Sequence, residues 1–427
     1  MTGTEKVGGV ALVQKIIHEA INSRRKEVID WFVRESRGLP HPIYSSYDIR
    51  DAGYKIAIVD ANIYPAGFNN ICPTDKEAAV TIFKNYIRKK YGPQIQRILL
   101  LTEEHTQNPF YWENIGAIQD LMSAAGFQVR LAFPTNLAEP ISIQSATGRK
   151  FLVGSGNGTS SWFLDFSPDL IISNNDFSDP HEDWARSVSV PINPPRELGW
   201  FQRSKERNFR HYNRLVTDFC NLIGVDPFLL TVRTEAFPNF DTESAESRSL
   251  LAERVDALIG EIRERYRSHN VVHEPFVFIK NNAGTYGLAV TPVKSGRDVM
   301  SWSYKSRKKM KAAKGGRDVE EVIIQEGIPS IVKSDGASAE PVIYMIGCEL
   351  AGGFLRAHAD KTDSESLNSP GAVYKRLCVA DLAIDPVQFP NENVYGWIAK
   401  VGLLAIAHEA REMRVEFKDY LSESCRF

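Results

Sequence analysis

A lysine followed by a glycine-rich loop is the clearest chemical feature of the sequence. Residues 276–279 (FVFI) are aromatic and β-branched, which is typical of a short buried strand, and Lys280 stands at its end. The loop that follows contains Gly284 and Gly287, where the backbone can approach a bound group closely, before residues 288–290 return as a second strand. An ammonium beside free backbone N–H groups can hold polyphosphate. The other interpretation is an ordinary hairpin with a solvated lysine.

A second short strand ends in residues that suit a metal ion. Residues 55–59 (KIAIV) predict a buried strand, and Asp60 and Asn62 stand at its exit. Because residues two apart in a strand share a face, these two side chains are expected to point the same way. A carboxylate and an amide oxygen placed together are ligands that suit Mg²⁺. The alternative is that they only start a turn, which Pro65 and Gly67 complete.

Two later segments also predict strands that carry polar side chains. Residues 321–328 predict a short buried strand with Gln325 and Glu326 at its end. Residues 341–358 predict a strand, a glycine-rich turn and a second strand, and the second strand contains Arg356. Both segments therefore place groups that can bind a polar ligand at the edge of a sheet.

Alternating strand and helix patterns in the N-terminal half indicate the elements that position these residues. Helical spacing of apolar residues alternates with short apolar runs, in the order helix 75–90, strand 95–101, helix 111–125, strand 127–133 and strand 170–173. This order predicts an α/β fold, with a mostly parallel sheet covered by helices and ligand groups at the carboxyl ends of its strands.

Composition sets the broad class of the protein. The chain has 427 residues, of which 43% are hydrophobic and 24% charged, so it can bury a large core. A net charge of -2 gives no general attraction for nucleic acid or for an anionic membrane. The densest basic cluster, residues 301–318, is typical of a solvated helix face; a lid over phosphates or a nucleic-acid patch are the alternatives.

The cysteines and the apolar runs indicate where the protein works. Five scattered cysteines without a C-x-x-C pair predict a reducing compartment and no disulfide framework. No apolar run approaches the ~18 residues of a membrane span, and the N-terminus lacks a hydrophobic signal core. We therefore expect a cytoplasmic protein without a membrane partner.

Four pieces in a fixed order resemble the nucleotide site of the ATP-grasp superfamily, and they are most similar to its glutathione synthetase branch. They are the lysine strand with its glycine loop, the QEGI strand, the FLRAH strand and the NSPGA loop. The resemblance implies that Lys205 and Lys280 hold ATP phosphates, and that Arg356 lies beside the transferred phosphate. The remaining residues that it implies are Gly284, Gly287, Gln325, Glu326 and Ile328 for ATP, and Asn368, Ser369 and Gly371 for a loop that closes over the substrate.

The segment from Asp60 to Asn70 resembles the metal and substrate stretch of the eukaryotic-type glutathione synthetases. Asp60 stands where that pattern usually has glutamate, which keeps the charge and shortens the reach. Those enzymes carry a further glutamate four residues after the phosphate lysine, where this chain has Gly284. The third metal ligand is therefore unassigned, and its candidates are Asn281, Asn282 and Glu349.

The sequence of residues 40–410 also resembles a bacterial family of glutamate-cysteine ligases. The strongest stretches are VDANIYPAGFNN, FIKNNAGTYG and LNSPGAVY. The resemblance implies a ligase that uses ATP and Mg²⁺ to form γ-glutamylcysteine from glutamate and cysteine through an acyl phosphate, the first step of glutathione biosynthesis. The residues expected to bind glutamate are Arg50, Gly67, Phe68, Asn69 and Asn70.

We expect an N-terminal α/β lobe for substrate and metal over residues 1–200, and ATP-grasp nucleotide-binding lobes over residues 201–427. A different amino-acid ligase, such as glutathione synthetase, would keep the ATP site and change only the substrate pockets. An ATP-binding regulatory protein without catalysis is a further alternative, because Gly284 stands where the related enzymes carry a glutamate. A homo-oligomer is compatible with the sequence.

Overall fold

The computed structural model describes residues 12–105, 107–284, 289–311, 321–385, 387–388, 392–421 and 425. Gly287 and residues 312–318 of the predicted lid lie outside these ranges. The helices are α1 Leu12–Ser23, α2 Arg25–Ser36, α3 Pro73–Tyr91, α4 Pro109–Ala124, α5 Ser161–Phe166, α6 Glu182–Ser187, α7 Lys205–Ile223, α8 Ala245–Ser268, α9 Gly296–Met300, α10 Tyr304–Met310 and α11 Val394–Glu412. The strands are β1 Tyr44–Asp51, β2 Ile56–Asn62, β3 Arg97–Leu101, β4 Gln128–Phe133, β5 Ile141–Gln144, β6 Lys150–Ser155, β7 Leu170–Ser173, β8 Ile192–Asn193, β9 Thr234–Phe237, β10 Val277–Asn281, β11 Val290–Val293, β12 Val322–Glu326, β13 Lys333–Ser334, β14 Ala337–Ile346, β15 Glu349–His358 and β16 Val373–Leu377.

One antiparallel sheet, in the order β16-β15-β14-β1-β2, combines strands from the N-terminal and C-terminal parts of the chain. The short strand β13 also pairs with β14. Apolar side chains on one face, such as Ile343 and Leu355, pack in the core that contains α11. Side chains one position away, such as Val342 and Phe354, pack in the core that contains α3. The alternation follows from the two-residue period of a strand.

A second antiparallel sheet, in the order β11-β10-β12-β9, contains the lysine strand. β10 and β11 pair as a hairpin, with Lys280 opposite Val290, so the predicted strand pair is confirmed. β12 flanks β10 on its other side and places Gln325 opposite Phe278. The apolar face of this sheet packs on α8 in a core of its own.

The third sheet, in the order β5-β6-β4-β3-β7-β8, is mixed, because β5 runs antiparallel to β6 while the other four pairings are parallel. The prediction that the fold is built on a mostly parallel sheet is therefore not confirmed, since the two other sheets are antiparallel. The strand that contains Asp60 belongs to one of these: β2 follows β1 after a turn of a few residues, and so short a connection allows only antiparallel pairing.

Two local expectations need correction. The predicted strand, turn and strand over residues 341–358 are present, with the turn at Gly347 and Cys348, but the first strand, β14, begins earlier than expected, at Ala337. The expected absence of disulfides is also wrong, because Cys72 is bonded to Cys378 and Cys348 to Cys425. These partners are 306 and 77 residues apart, so no local spacing in the sequence could indicate them.

No helix in the described part of the chain is long and apolar enough to cross a membrane. The proposed boundary near residue 200 remains a prediction. Strands from both sides of it share a sheet, since β1 pairs with β14.

Candidate active site

One cavity lies between the two antiparallel sheets, and residues from both sheets line it. Seven of its lining residues were expected from the sequence to bind ligands: Arg50, Asp60, Lys205, Lys280, Asn281, Gly284 and Asn368. The others are Asp48, Val59, Phe278, Val290, Glu340 and Ser366. Segments far apart in the sequence therefore meet at one place.

Two buried lysines reach this cavity from different elements. Lys205 is the first residue of α7, and its ammonium contacts the carboxylate of Asp60. Lys280 lies on β10, and its Nζ donates to the backbone oxygen of Val59 at 2.9 Å and to Oε1 of Gln325 at 2.6 Å. The helix N-terminus and the two ammonium groups favour a polyanion.

Burial lowers the pKa of the Lys280 ammonium to about 8; Asp60 opposes this shift and Lys205 adds to it. Burial works to raise the pKa of the Asp60 carboxyl, but the two lysines outweigh it, so that pKa lies below its ordinary value. Asp60 is therefore a carboxylate at neutral pH, and Lys280 is mostly charged there but loses its charge as the pH rises through about 8.

A second group of charges lies on the sheet that contains β1 and β2, on the face that carries Asp60. Arg356 on β15 lies opposite Glu340 on β14, and its Nη1 donates to Oε1 of Glu340 at 2.7 Å and to Oδ2 of Asp48 at 2.6 Å. Asp48 lies opposite Asp60 in the pairing of β1 with β2. The buried Nε of Arg356 has no hydrogen-bond partner in the described structure. A donor that is buried without a partner is costly, so this N–H is suited to an incoming oxygen atom.

The two carboxyls that contact Arg356 differ in their pKa. Burial works to raise the pKa of Glu340, but Arg50 and Arg356 outweigh it and lower the pKa. Burial raises the pKa of Asp48, although Arg356 opposes this shift. Counting the described side chains of this region, four cations (Arg50, Lys205, Lys280 and Arg356) stand against three carboxyl groups (Asp48, Asp60 and Glu340). The excess of cations favours the binding of anions.

Asp48 and Glu340 were not singled out in the sequence. Asp48 is placed beside Asp60 only by the pairing of β1 with β2, and strand register cannot be read from local composition. Glu340 was missed because Pro341 was interpreted as the start of its strand, although β14 begins at Ala337. The alternation of residues 338, 340 and 342 on one face was the available signal.

The oxygen atoms beside Asp60 fit a hard cation. Asn62 shares the face of Asp60 and helps to lower the pKa of its carboxyl, and the carboxyl of Asp48 is the neighbour across the strand pair. Among the earlier candidates for a third ligand, Asn281 lines the cavity. The amide of Asn282 is used by the backbone N–H of Glu206 and by the Glu321 carboxylate. Glu349 lines a different cavity.

The residues expected at the adenine hinge have partners within the protein. Gln325 accepts from Lys280 and donates through Nε2 to Thr234 at 3.1 Å. The carboxylate of Glu326 accepts from Lys55 Nζ at 2.6 Å and from a backbone N–H at 3.0 Å. Ile328 is buried in the main core. Their contact with adenine remains a prediction, and the two polar side chains already support β10 and β12.

Of the residues expected to bind amino-acid substrates, Arg50 and Asn368 line the cavity, whereas Phe68 and Asn69 line a different one. Gly67 begins the turn that contains Phe68, Asn69 and Asn70, and a Cβ atom on Gly67 would lie 3.2 Å from the Phe354 ring, on the sheet face that carries Arg356. Neither this turn nor Ser369 and Gly371 belong to the lining residues of the cavity between the two sheets. Ser369 and Gly371 follow Asn368 in the loop of residues 359–372. Their roles remain predictions.

The chain was compared with known proteins. The glutamate-cysteine ligase family (GshA) matches residues 18–410. The crystal structure of a candidate gamma-glutamylcysteine synthetase from Methylobacillus flagellatus KT has a TM-score of 0.84 and 31% identity, and the match covers 96% of this chain and 100% of that one. No curated protein matches the chain.

Two other solved structures are much less similar. Carboxyaminoimidazole ribonucleotide synthase from Aspergillus clavatus, complexed with ATP, has a TM-score of 0.28 and 12% identity, covering 62% of this chain and 58% of that one. D-alanyl-alanine synthetase A from Vibrio cholerae has a TM-score of 0.30 and 11% identity, covering 75% and 81%. At these TM-scores neither structure carries an argument about this chain.

The family match spans almost the whole chain, including every candidate residue of the cavity. The chain therefore belongs to the glutamate-cysteine ligase family, and it is an ATP-dependent enzyme that forms γ-glutamylcysteine.

Proposed function

We propose that the cavity between the two antiparallel sheets is the catalytic site of an ATP-grasp ligase that works through an acyl phosphate. The observation that carries the proposal is that Lys205, Lys280 and Asp60 line one cavity together with Asp48 and Glu340, the two carboxyl groups that contact Arg356. The reaction must bring two anions together, the glutamate γ-carboxylate and the ATP γ-phosphate. Positioning and charge neutralisation are then the main tasks of the protein.

Lys205 and Lys280 hold the ATP phosphates from two different elements, α7 and β10. Neutral oxygen atoms hold Lys280, so its charge is not cancelled by its partners. Gly284 lets the loop after β10 approach the phosphates, and the backbone of residues 325–328 meets adenine; Gly287, which the sequence assigns to the same loop, lies outside the described residues. These roles are assigned from the four segments that resemble the ATP-grasp nucleotide site.

The chemistry consists of two displacements. A carboxylate is a poor acyl donor because its leaving group would be oxide. An oxygen of the γ-carboxylate therefore bonds to the γ-phosphorus of ATP, the bond to the bridging oxygen breaks, and ADP leaves. The cysteine amine then attacks the acyl carbon, phosphate leaves with the former carboxylate oxygen, and the amine gives up a proton. The unpartnered Nε–H of Arg356 stabilises the negative oxygen that develops in these steps.

Asp60 and Asn62, with the neighbouring Asp48, are the residues that hold Mg²⁺. Their carboxyl and amide oxygens are the ligand types that this cation prefers. Bound magnesium neutralises phosphate charge during phosphoryl transfer. The turn of residues 67–70 and the loop that contains Asn368, Ser369 and Gly371 bind the two amino acids.

The substrate pair is tested by measuring ADP release and peptide formation with Mg-ATP. The three conditions are glutamate plus cysteine, γ-glutamylcysteine plus glycine, and no amino acid. We expect turnover with the first pair alone. Turnover with the second pair would assign the chain to glutathione synthesis, and bound ATP without turnover in any condition would favour a regulatory protein.

A further inference from the structure

The loop between β15 and β16, residues 359–372, covers the cavity and presents Ser366 and Asn368 to it. Leu367, between these two residues, is fully buried and anchors the loop. A loop without regular hydrogen bonding needs side chains to hold its backbone polar groups. The side chains that make these hydrogen bonds are therefore the ones that keep the loop over the cavity.

Arg50 supplies two of these contacts from the floor of the cavity. Its Nη1 donates to the backbone oxygen of Asp363 at 2.8 Å, and its Nη2 donates to the backbone oxygen of Glu365 at 2.8 Å. Its Nε donates to Oε2 of Glu340. All three nitrogens of this buried guanidinium therefore have protein acceptors, in the planar fork that only arginine provides.

Glu340 connects this arrangement to the reacting centre. One of its carboxylate oxygens accepts from Arg50, and the other accepts from Nη1 of Arg356. The two arginines thus share one buried carboxylate, and neither can shift without disturbing the other. A continuous path of hydrogen bonds runs from the loop backbone to Arg356.

The loop is preorganised apart from this contact. The backbone N–H of Thr362 and the ammonium of Lys361 lower the pKa of Glu365 to about 2, and both groups lie within the same loop. The backbone N–H of Ser330 donates to the same Asp363 oxygen that Arg50 contacts, at 3.1 Å. The loop is therefore braced by its own contacts, and Arg50 ties it to the charged face of the sheet.

We propose that Arg50 is a positioning residue that holds the loop of residues 359–372 over the cavity and aligns it with Arg356 through Glu340. This inference rests on the proposed function and gives Arg50 a role other than direct binding of glutamate. A closed loop matters here because the acyl phosphate is open to water. Attack by water on the acyl carbon releases phosphate and regenerates glutamate, so that one ATP is converted to ADP and phosphate without peptide.

The test is the ratio of ADP to γ-glutamylcysteine formed at saturating glutamate and cysteine. The native chain is expected to form one ADP per peptide. Arg50→Met removes all three contacts, and we expect a several-fold excess of ADP over peptide as water enters. Arg50→Lys keeps the charge but loses the fork, and we expect only partial recovery of the ratio.

Lys375→Met is the matched control. Lys375 lies on β16, at the end of the same loop, and its ion pair with Asp335 is exposed. Loss of this cation should leave the ratio at one, since exposed ion pairs contribute little. Should Arg50→Met fail to fold, Glu365→Gln weakens the internal brace of the loop from the surface, and it is expected to raise the ratio in the same direction.

A ratio of one in all of these variants would overturn the inference. A raised KM for glutamate with the ratio still at one would show instead that Arg50 binds the substrate directly. Absence of peptide from the native chain would contradict the proposed function, an outcome separate from both.

Discussion

The two lysines of the cavity have different partners, and this difference determines how each should behave when it is replaced. Lys205 is paired with the Asp60 carboxylate, whereas Lys280 is held by a carbonyl and an amide oxygen. Neutral acceptors orient an ammonium without cancelling its charge. Lys280 is therefore the better prepared of the two to meet a phosphate.

Replacement of Lys280 by methionine should lower kcat by about 10²–10³-fold, the usual effect of removing one preorganised donor from a charged transition state. The fold should persist, because methionine fills a similar volume and β10 keeps its pairing on both sides. Steady-state kinetics with circular dichroism as a fold check measures this. Lys294→Met, at an exposed lysine just after β11, is the control and should retain native activity.

The pKa of Lys280 predicts an alkaline limit to activity. Burial lowers this pKa from its ordinary 10.5 to about 8, so Lys280 loses its charge as the pH rises through about 8. The kcat/KM for ATP, which reports the free enzyme, should fall above that pH. Lys280→Arg retains its charge throughout, so its profile should stay flat there. An unchanged alkaline limb in this variant would assign the titration to another group.

At the scale of elements, the hairpin of β10 and β11 was predictable because its signals are local. A four-residue apolar run ends at a lysine and a glycine turn, and the structure pairs the two strands there. The pairing of β1 with β14 was not predictable, because the partners are separated by most of the chain and register depends on long-range packing. This pairing brings Asp48 to the strand that carries Glu340, so local patterns could not indicate that Asp48 belongs to the charged cluster.

The disulfide between Cys72 and Cys378 joins two elements of the site. Cys72 precedes α3, just after the turn of residues 67–70, and Cys378 follows β16 directly. Loss of this bond should lower the free energy of unfolding by about 2–5 kcal/mol, because it closes a long loop in the unfolded chain.

Denaturant unfolding of Cys72→Ser, Cys378→Ser and the double variant tests this expectation. All three remove the same bond, so they should lose the same stability. A double variant that loses about the sum of the two single changes would show that the cysteines act separately rather than as a bonded pair.

At the scale of the whole molecule, segments far apart in the sequence share one sheet: β1 and β2 from the N-terminal part and β14, β15 and β16 from the C-terminal part. That sheet supplies the arginines and carboxylates, and the sheet of β10 supplies Lys280. A cavity between two sheets lets charges from separate segments meet at one place. Local patterns in the sequence indicated many of these segments, but only the assembled sheets show which charges contact each other.

The central claim is that this cavity activates the glutamate γ-carboxylate by phosphoryl transfer, and isotope transfer tests it most directly. Glutamate labelled with oxygen-18 in the γ-carboxylate is incubated with Mg-ATP, cysteine and the enzyme, and the released phosphate is analysed by mass spectrometry. The account predicts one labelled oxygen in each phosphate formed, because the carboxylate oxygen leaves with the phosphoryl group. Unlabelled phosphate, with peptide still formed, would contradict the acyl-phosphate route.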